Sequence, residues 1–424
     1  MWQPYARLAD TPRILTAIDA VARDLEQRFN PARFASAEPS SKWPDYTLVE
    51  GMSAAALFFH YRYKLSGDST DLRRRDGVLD EMLRGLENAS MFPNLFSGFV
   101  GLGWVFAHAL DADDARLACD PIDEAVFEEL MVPVWPGDFE LLRGLVGLGV
   151  YSIERADSIG VRPMLERTVA QLRSIAVQTE SGSAWLSPYE SLPQIVQHEH
   201  PKNRISTGLA HGQAAVVSLL ARVAQLPTAP AGTDGLLRDA VRWLVRCPPG
   251  MDSLSRFAQH VDCATGAHPD ARLGWCNGDQ GVAIALLGAG RVLDDAAVIA
   301  TGHQAIDASV TRPVLTSGVV DPGFCHGSAG VAQMYARLAM ATGRDDCLAA
   351  ARTWLDTTLE YCDVSRSPAF LAMEWSIANR RLEPKSDYGL LSGIAGVGLA
   401  LIASVADSPP EWDRLFLLST GETL

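Results

Sequence analysis

Seven times along the chain a glycine, two residues and a second glycine or alanine precede a run that is apolar on almost every side of a helical wheel. The copies are Gly51-Met-Ser-Ala54, Gly98-Phe-Val-Gly101, Gly144-Leu-Val-Gly147, Gly212-Gln-Ala-Ala215, Gly278-Asp-Gln-Gly281, Gly327-Ser-Ala-Gly330 and Gly393-Ile-Ala-Gly396. The runs that follow are 55–61, 102–109, 148–153, 216–221, 282–287, 331–338 and 397–403. A helix apolar all round must be buried on all sides. Between these runs lie stretches with charged residues on one face, over 68–86, 159–177, 235–246, 294–310 and 345–361, which predict amphipathic helices covering the first set.

Successive first glycines are 46 to 68 residues apart, enough for two helices with their connections. The pattern predicts an all-α fold, an α/α toroid (barrel) of seven inner and seven outer helices forming a single domain over residues 1–424. Glycine at each inner-helix start permits close backbone approach or an unusual φ. An open solenoid is the alternative, but solenoids end in distinct polar caps, and the seventh run is as apolar as the third. Residues 88–110 and 389–406 are long and uncharged enough to span a bilayer. Both carry the glycine frame of the repeat, so they are read as buried helices.

Charge narrows the function. The chain of 424 residues has 36 Lys and Arg against 51 Asp and Glu, a formal charge of −15, and no basic run that could track phosphates. Nucleic acid is therefore not the expected partner, and a basic peptide suits the chain better than an acidic one. The N-terminus lacks the layout of a cleaved signal peptide. Seven cysteines spread over such a length do not form a disulfide framework, which points to a reducing cytoplasm. Cys119, Cys247, Cys263, Cys347 and Cys362 have no glycine-flanked context and are read as ordinary thiols.

In a closed array, equivalent positions point toward one end of the axis. The residues just before the first glycines are Glu50, Ser97, Arg143, His211, Asn277, His326 and Ser392. Repeats four to six carry the chemistry, as Ala210-His211, Cys276-Asn277 and Cys325-His326. Cys276, Cys325 and His326 make three donors of the kinds zinc prefers, leaving a fourth tetrahedral position for water or substrate, the arrangement of a catalytic zinc.

Three ordered motifs carry a resemblance: Gly208-Leu-Ala-His211-Gly212, Arg272-Leu-Gly-Trp275-Cys276-Asn277-Gly278 and Cys325-His326-Gly327. With the seven glycine repeats, the chain resembles the lanthionine synthetase C-like family, cyclases that close thioether rings in lanthipeptides. The resemblance implies Zn2+ held by Cys276, Cys325 and His326, with a substrate cysteine entering the fourth position as thiolate and attacking a dehydroalanine or dehydrobutyrine. It implies His211 as acid/base, and Arg272 as the group that stabilises the enolate oxygen. The implied partners are a dehydrated precursor peptide and a complex with a dehydratase and an exporter.

Two positions depart from the family pattern. Asn277 stands where a tyrosine commonly follows the zinc cysteine, and an amide is no acid near neutral pH. Glu140 stands where an aspartate is common, with Asp138 two residues earlier as its substitute in orienting His211. The connections 180–205 and 227–235 are the expected peptide-contacting insertions. Two other functions remain open: addition of glutathione or another small thiol to dehydroamino acids, and a zinc-binding scaffold without turnover.

Overall fold

Each repeat glycine stands at the N-cap of a helix in the computed structural model, which describes residues 2–30, 46–88, 90–156, 161–187, 189, 197 and 202–419. Fourteen of the helices among these residues, of about three to six turns each, form the repeat pairs: α1 (Thr11–Arg28), α2 (Met52–Ser66), α3 (Ser69–Asn88), α4 (Phe99–Ala109), α5 (Ala112–Leu130), α6 (Leu145–Glu154), α7 (Val161–Ile175), α8 (Gln213–Ala224), α9 (Thr233–Val245), α10 (Asp279–Val292), α11 (Ala296–Val310), α12 (Ser328–Thr342), α13 (Asp345–Glu360) and α14 (Ile394–Val405). The even-numbered helices are the inner set and the odd-numbered ones the outer. In α6 every residue from Leu145 to Ile153 is buried. In α9 burial falls on Leu236, Leu237, Ala240, Val241 and Leu244, one face of a helix. The fold class is the α/α toroid.

Two outer helices were not singled out by the pattern. Helix α5 carries Pro121 inside it and acids through most of its length, which blurs its apolar face. Helix α1, at the start of the chain, packs on α14 at the other end, so the seventh pair joins the last inner helix to the first outer one.

The chain forms two compact units. The first comprises Met1–Phe92, Phe96–Cys119 and Val319–Trp412. Within it the last repeat adjoins the first: α14 packs on α2 as well as α1, and Leu390 N donates to Leu48 O at 2.9 Å. The next links run from Val49 N to Phe96 O and, one repeat back, from Phe324 N and Cys325 N to Leu391 O. An open solenoid would leave the last repeat apart from the first, so this contact removes that alternative. The second unit comprises Pro93–Leu95, Asp120–Gly318 and Asp413–Leu424, in which α8 packs on both α6 and α10. Leu141 N donates to Ala210 O, the same kind of link between adjacent repeats.

Close approach, rather than unusual φ, explains most repeat glycines. Only Gly51 among the seven has a φ in the left-handed region, at 130°. Elsewhere the segment before the helix folds back on itself; a Cβ on Gly327 would lie 2.4 Å from Asp321 Oδ1, six residues earlier.

Among the described residues, strand is confined to three antiparallel pairs: β1 (Val177–Thr179) with β2 (Gly182–Ala184), β3 (Arg204–Ser206) with β4 (His260–Asp262), and β5 (Ala372–Ser376) with β6 (Arg381–Lys385). All lie in connections that lead into an inner helix. Much of the insertion expected at 180–205 lies outside the described residues. No helix among the described residues is long and apolar enough to cross a membrane.

Candidate metal centre and proton-transfer pair

A buried aromatic residue precedes each of the two repeat-frame cysteines. In the second unit Trp275 is fully buried, stacks edge-on against Phe416 at 4.9 Å and donates its indole N–H to Phe416 O at 2.9 Å. In the first unit Phe324 is equally buried and meets Trp412 edge-on at 5.3 Å. The C-terminal turn Glu411–Phe416 supplies both partners. Aromatic pairs of this kind add about 0.5–1.5 kcal/mol beyond their burial; here they fix the backbone from which each thiol projects.

Further backbone contacts set the donor turns. Gly208 runs so close to the Cys276 carbonyl that a Cβ there would stand 1.9 Å from the oxygen, so only glycine fits. Asp321, 1% exposed, anchors the other turn: Oδ1 accepts from Gly323 N at 2.9 Å, and Oδ2 accepts from Met373 N at 3.1 Å. The Asp321 carbonyl accepts from Ser328 N, the first residue of α12.

Cys325 and His326, adjacent in sequence, stand in the first unit and Cys276 in the second; together they make up the candidate metal-donor group. Cys276 is buried, and Cys325 and His326 are half-buried. Two thiolates and an imidazole suit zinc, and three donors are one short of a closed structural site. The remaining cysteines form no such group among the described residues; burial pushes the Cys247 thiol up to about 12.

The second constellation is a charged hydrogen bond. Glu140 Oε2 lies 2.6 Å from His211 Nδ1, and Glu140 Oε1 accepts from Arg143 N at 2.5 Å. Nδ1 is assigned as the donor to Glu140, which leaves Nε2 as the ring nitrogen that this bond does not engage. Glu140 is 2% exposed and His211 40%, so the base of the pair is enclosed and its imidazole is open. Burial pulls the His211 pKa down, but the hydrogen bond and charge of Glu140, joined by Cys276 and Asp138, leave it above the ordinary histidine value. Asp138 does not bond His211: its Oδ1 accepts from Glu140 N at 3.4 Å, and burial and the neighbouring Glu140 raise its pKa.

The other two residues chosen from the sequence stand differently. Arg272 is exposed, its stem against Gly318, and its guanidinium has no hydrogen bond or ion pair among the described residues. Asn277 is half-buried beside Cys276. Asp321, Phe324 and the aromatic C-terminal turn were not singled out from the sequence. A signal for Asp321 existed: aspartate recurs six residues before the repeat glycine at Asp138, Asp321 and Asp387, and each caps the N–H two residues on.

Comparison with solved structures gives the fold a counterpart. The chain resembles "Nisin cyclase" with a TM-score of 0.71 at 16% identity, covering 93% of this chain and 97% of that one. A GH76A α-1,6-mannanase from Salegentibacter sp. HEL1_6 also matches, at 11% identity over 92% of this chain and 98% of that one, with a lower TM-score of 0.47. The sequence matches the family described as lanthionine synthetase C-like protein over residues 42–417. With seven glycine-started inner helices and a match spanning nearly the whole chain, this protein belongs to the lanthionine synthetase C-like family.

Proposed function

We propose that the chain, acting as one domain, is a zinc-dependent lanthipeptide cyclase. It adds cysteine thiols of a precursor peptide, dehydrated beforehand by a dehydratase, to dehydroalanine or dehydrobutyrine residues of the same peptide. The sulfur bonds to Cβ, the Cα–Cβ π bond opens, and a proton arrives at Cα, so the product has the mass of the dehydrated substrate. The observation that carries this reading is that Cys276, Cys325 and His326 form a candidate metal-donor group, three donors where a tetrahedral zinc takes four.

Cys276, Cys325 and His326 would hold the zinc, which when bound keeps a fourth-position thiol deprotonated at neutral pH. His211 does the proton work. Glu140 holds its Nδ1–H, so Nε2 faces the substrate and exchanges the proton that leaves sulfur and the one that Cα requires. Arg272, which makes no hydrogen bond or ion pair among the described residues, would meet the enolate oxygen as charge develops there. Asn277 can only orient substrate or water, so His211 is the proton donor that replaces the missing tyrosine.

The test is a comparison of two reactions in one preparation: closure of a dehydrated peptide containing its own cysteine, and addition of glutathione to the same peptide with that cysteine blocked. The cyclase reading expects closure to be at least about tenfold faster, since an intramolecular thiol acts at high effective concentration. Faster glutathione addition would establish the small-thiol reading instead, and neither reaction would leave a scaffold.

A further inference from the structure

The β5–β6 hairpin is amphipathic with its apolar face turned to water. Its register pairs Met373 with Pro384 and Trp375 with Leu382, and Ile377 continues the same face beyond the last pair. Trp375 is 57% exposed, Ile377 67% and Leu382 40%. The opposite face is internally satisfied: Lys385 Nζ meets Glu374 at 2.8 Å and Arg381 meets Glu383 at 2.9 Å. Charge therefore contributes little to what the hairpin can attract, and the exposed apolar cluster is the feature that needs a partner.

Two observations tell what covers it. The first is attachment: the base of β5 is bonded to the metal-donor turn, since Met373 N donates to Asp321 Oδ2 and Gly323 N donates to Asp321 Oδ1. One buried carboxylate therefore holds both the hairpin and the turn that carries Cys325 and His326. The second is the placement of exposed apolar surface. Of the eighteen large apolar side chains exposed among the described residues, all but Leu8, Leu15 and Leu117 lie in connections from an outer helix to the next inner one. Those connections end at the repeat glycines, the end of the inner helices where the candidate donors sit.

We propose that the apolar face of the β5–β6 hairpin docks the dehydrated stretch of the substrate peptide beside the reacting cysteine. This rests on the cyclase reading, and its chemistry follows from it. Dehydration removes the serine and threonine hydroxyls and leaves planar, apolar side chains, which a surface of Trp375, Ile377 and Leu382 accepts without unpaired polar groups. The hairpin gathers the acceptor segment, and its bond to Asp321 fixes where that segment lies relative to Cys325 and His326.

The test uses the full chain carrying Trp375→Ser and Ile377→Ser, both at exposed positions outside the proposed catalytic machinery. Two readouts are taken: cyclisation kinetics, and anisotropy of a fluorescein-labelled synthetic peptide with two dehydrobutyrines, two leucines and one cysteine. We expect labelled-peptide affinity to fall about tenfold and KM to rise by a similar factor. Zinc content, kcat and addition of mercaptoethanol to N-acetyl-dehydroalanine amide should stay within about twofold of the parent. Equal peptide affinity in parent and variant overturns the docking site. So does a parent dimer that the substitutions dissociate, because a second copy would then be the occupant. If the parent binds the labelled peptide and the variant does not, while neither turns it over, the docking site stands and the cyclase reading falls.

Discussion

Replacing Glu140 with glutamine tests the proton-transfer pair by exchanging one carboxylate oxygen for an amide NH2. Glu140 accepts two hydrogen bonds, one from His211 Nδ1–H and one from Arg143 N. Glutamine has one acceptor oxygen and one donor nitrogen, so it cannot serve both. If its oxygen stays on Arg143 N, its NH2 points at Nδ1, which must give up its proton, and the neutral imidazole then carries hydrogen on Nε2. If its oxygen turns to His211, two N–H groups face each other at a 2%-exposed position. Either outcome forfeits a charge-assisted bond, about 1.5–3 kcal/mol, and converted to rate this is roughly 10- to 150-fold. The assay is single-turnover cyclisation with zinc stoichiometry measured alongside. We expect kcat to fall by that range with one zinc retained and KM little changed. A Glu140→Gln enzyme within twofold of the parent would refute the claim that Glu140 sets the His211 tautomer.

Other consequences are equally open to measurement. Asp321→Ala leaves Gly323 N and Met373 N without their acceptor, at about 1–3 kcal/mol each. Urea unfolding should show the loss and zinc should bind more weakly, whereas unchanged zinc affinity would show that Asp321 does not organise the donor turn. Trp412→Ala removes the ring against Phe324 and should cost about 3–5 kcal/mol, readable as a lower Tm, and a shift under one degree contradicts it. His60 is 8% exposed, takes a hydrogen bond from Arg75 at 3.2 Å on Nδ1, and has its pKa lowered to about 3 by burial and by Lys64, His108 and Arg75. Because the folded value lies below the unfolded one of about 6.5, its contribution is complete above pH 6.5 and is lost as pH falls. From pH 7 to pH 5 this amounts to about 2 kcal/mol, which His60→Gln should abolish in paired urea titrations; equal pH dependence in both proteins would remove His60 from the account.

The inner layer was legible because a helix buried on all sides has no polar face, and the glycine before it recurs wherever the chain folds back on itself. Even so, α5 escaped notice, since Pro121 and its acids interrupt the apolar stripe, and α1 could not be paired with α14 from local pattern. That pairing depends on contact between the two ends of the chain. Site legibility followed the same division. Cys276, Cys325, His326 and His211 stand at fixed offsets from repeat glycines, so the frame itself pointed to them. Between Asp138 and Glu140, which differ by two positions, only side-chain direction separates a partner of His211 from a backbone cap. The roles of Trp275 and Phe324 depend on a C-terminal turn remote in sequence, and the hairpin's open apolar face depends on what fails to cover it.

The central claim is that a metal held by Cys276, Cys325 and His326 drives thioether formation. The most direct measurement is thiol-alkylation mass spectrometry of a dehydrated, cysteine-containing peptide after incubation with metal-stripped protein and with protein reloaded with one equivalent of zinc. We predict that the stripped protein leaves the cysteine open to alkylation. Reloaded protein should protect it with no change in peptide mass, and a reloaded Cys276→Ala protein should not. A cysteine that stays fully alkylatable with the zinc-loaded protein, or that is protected equally by the stripped one, contradicts the account.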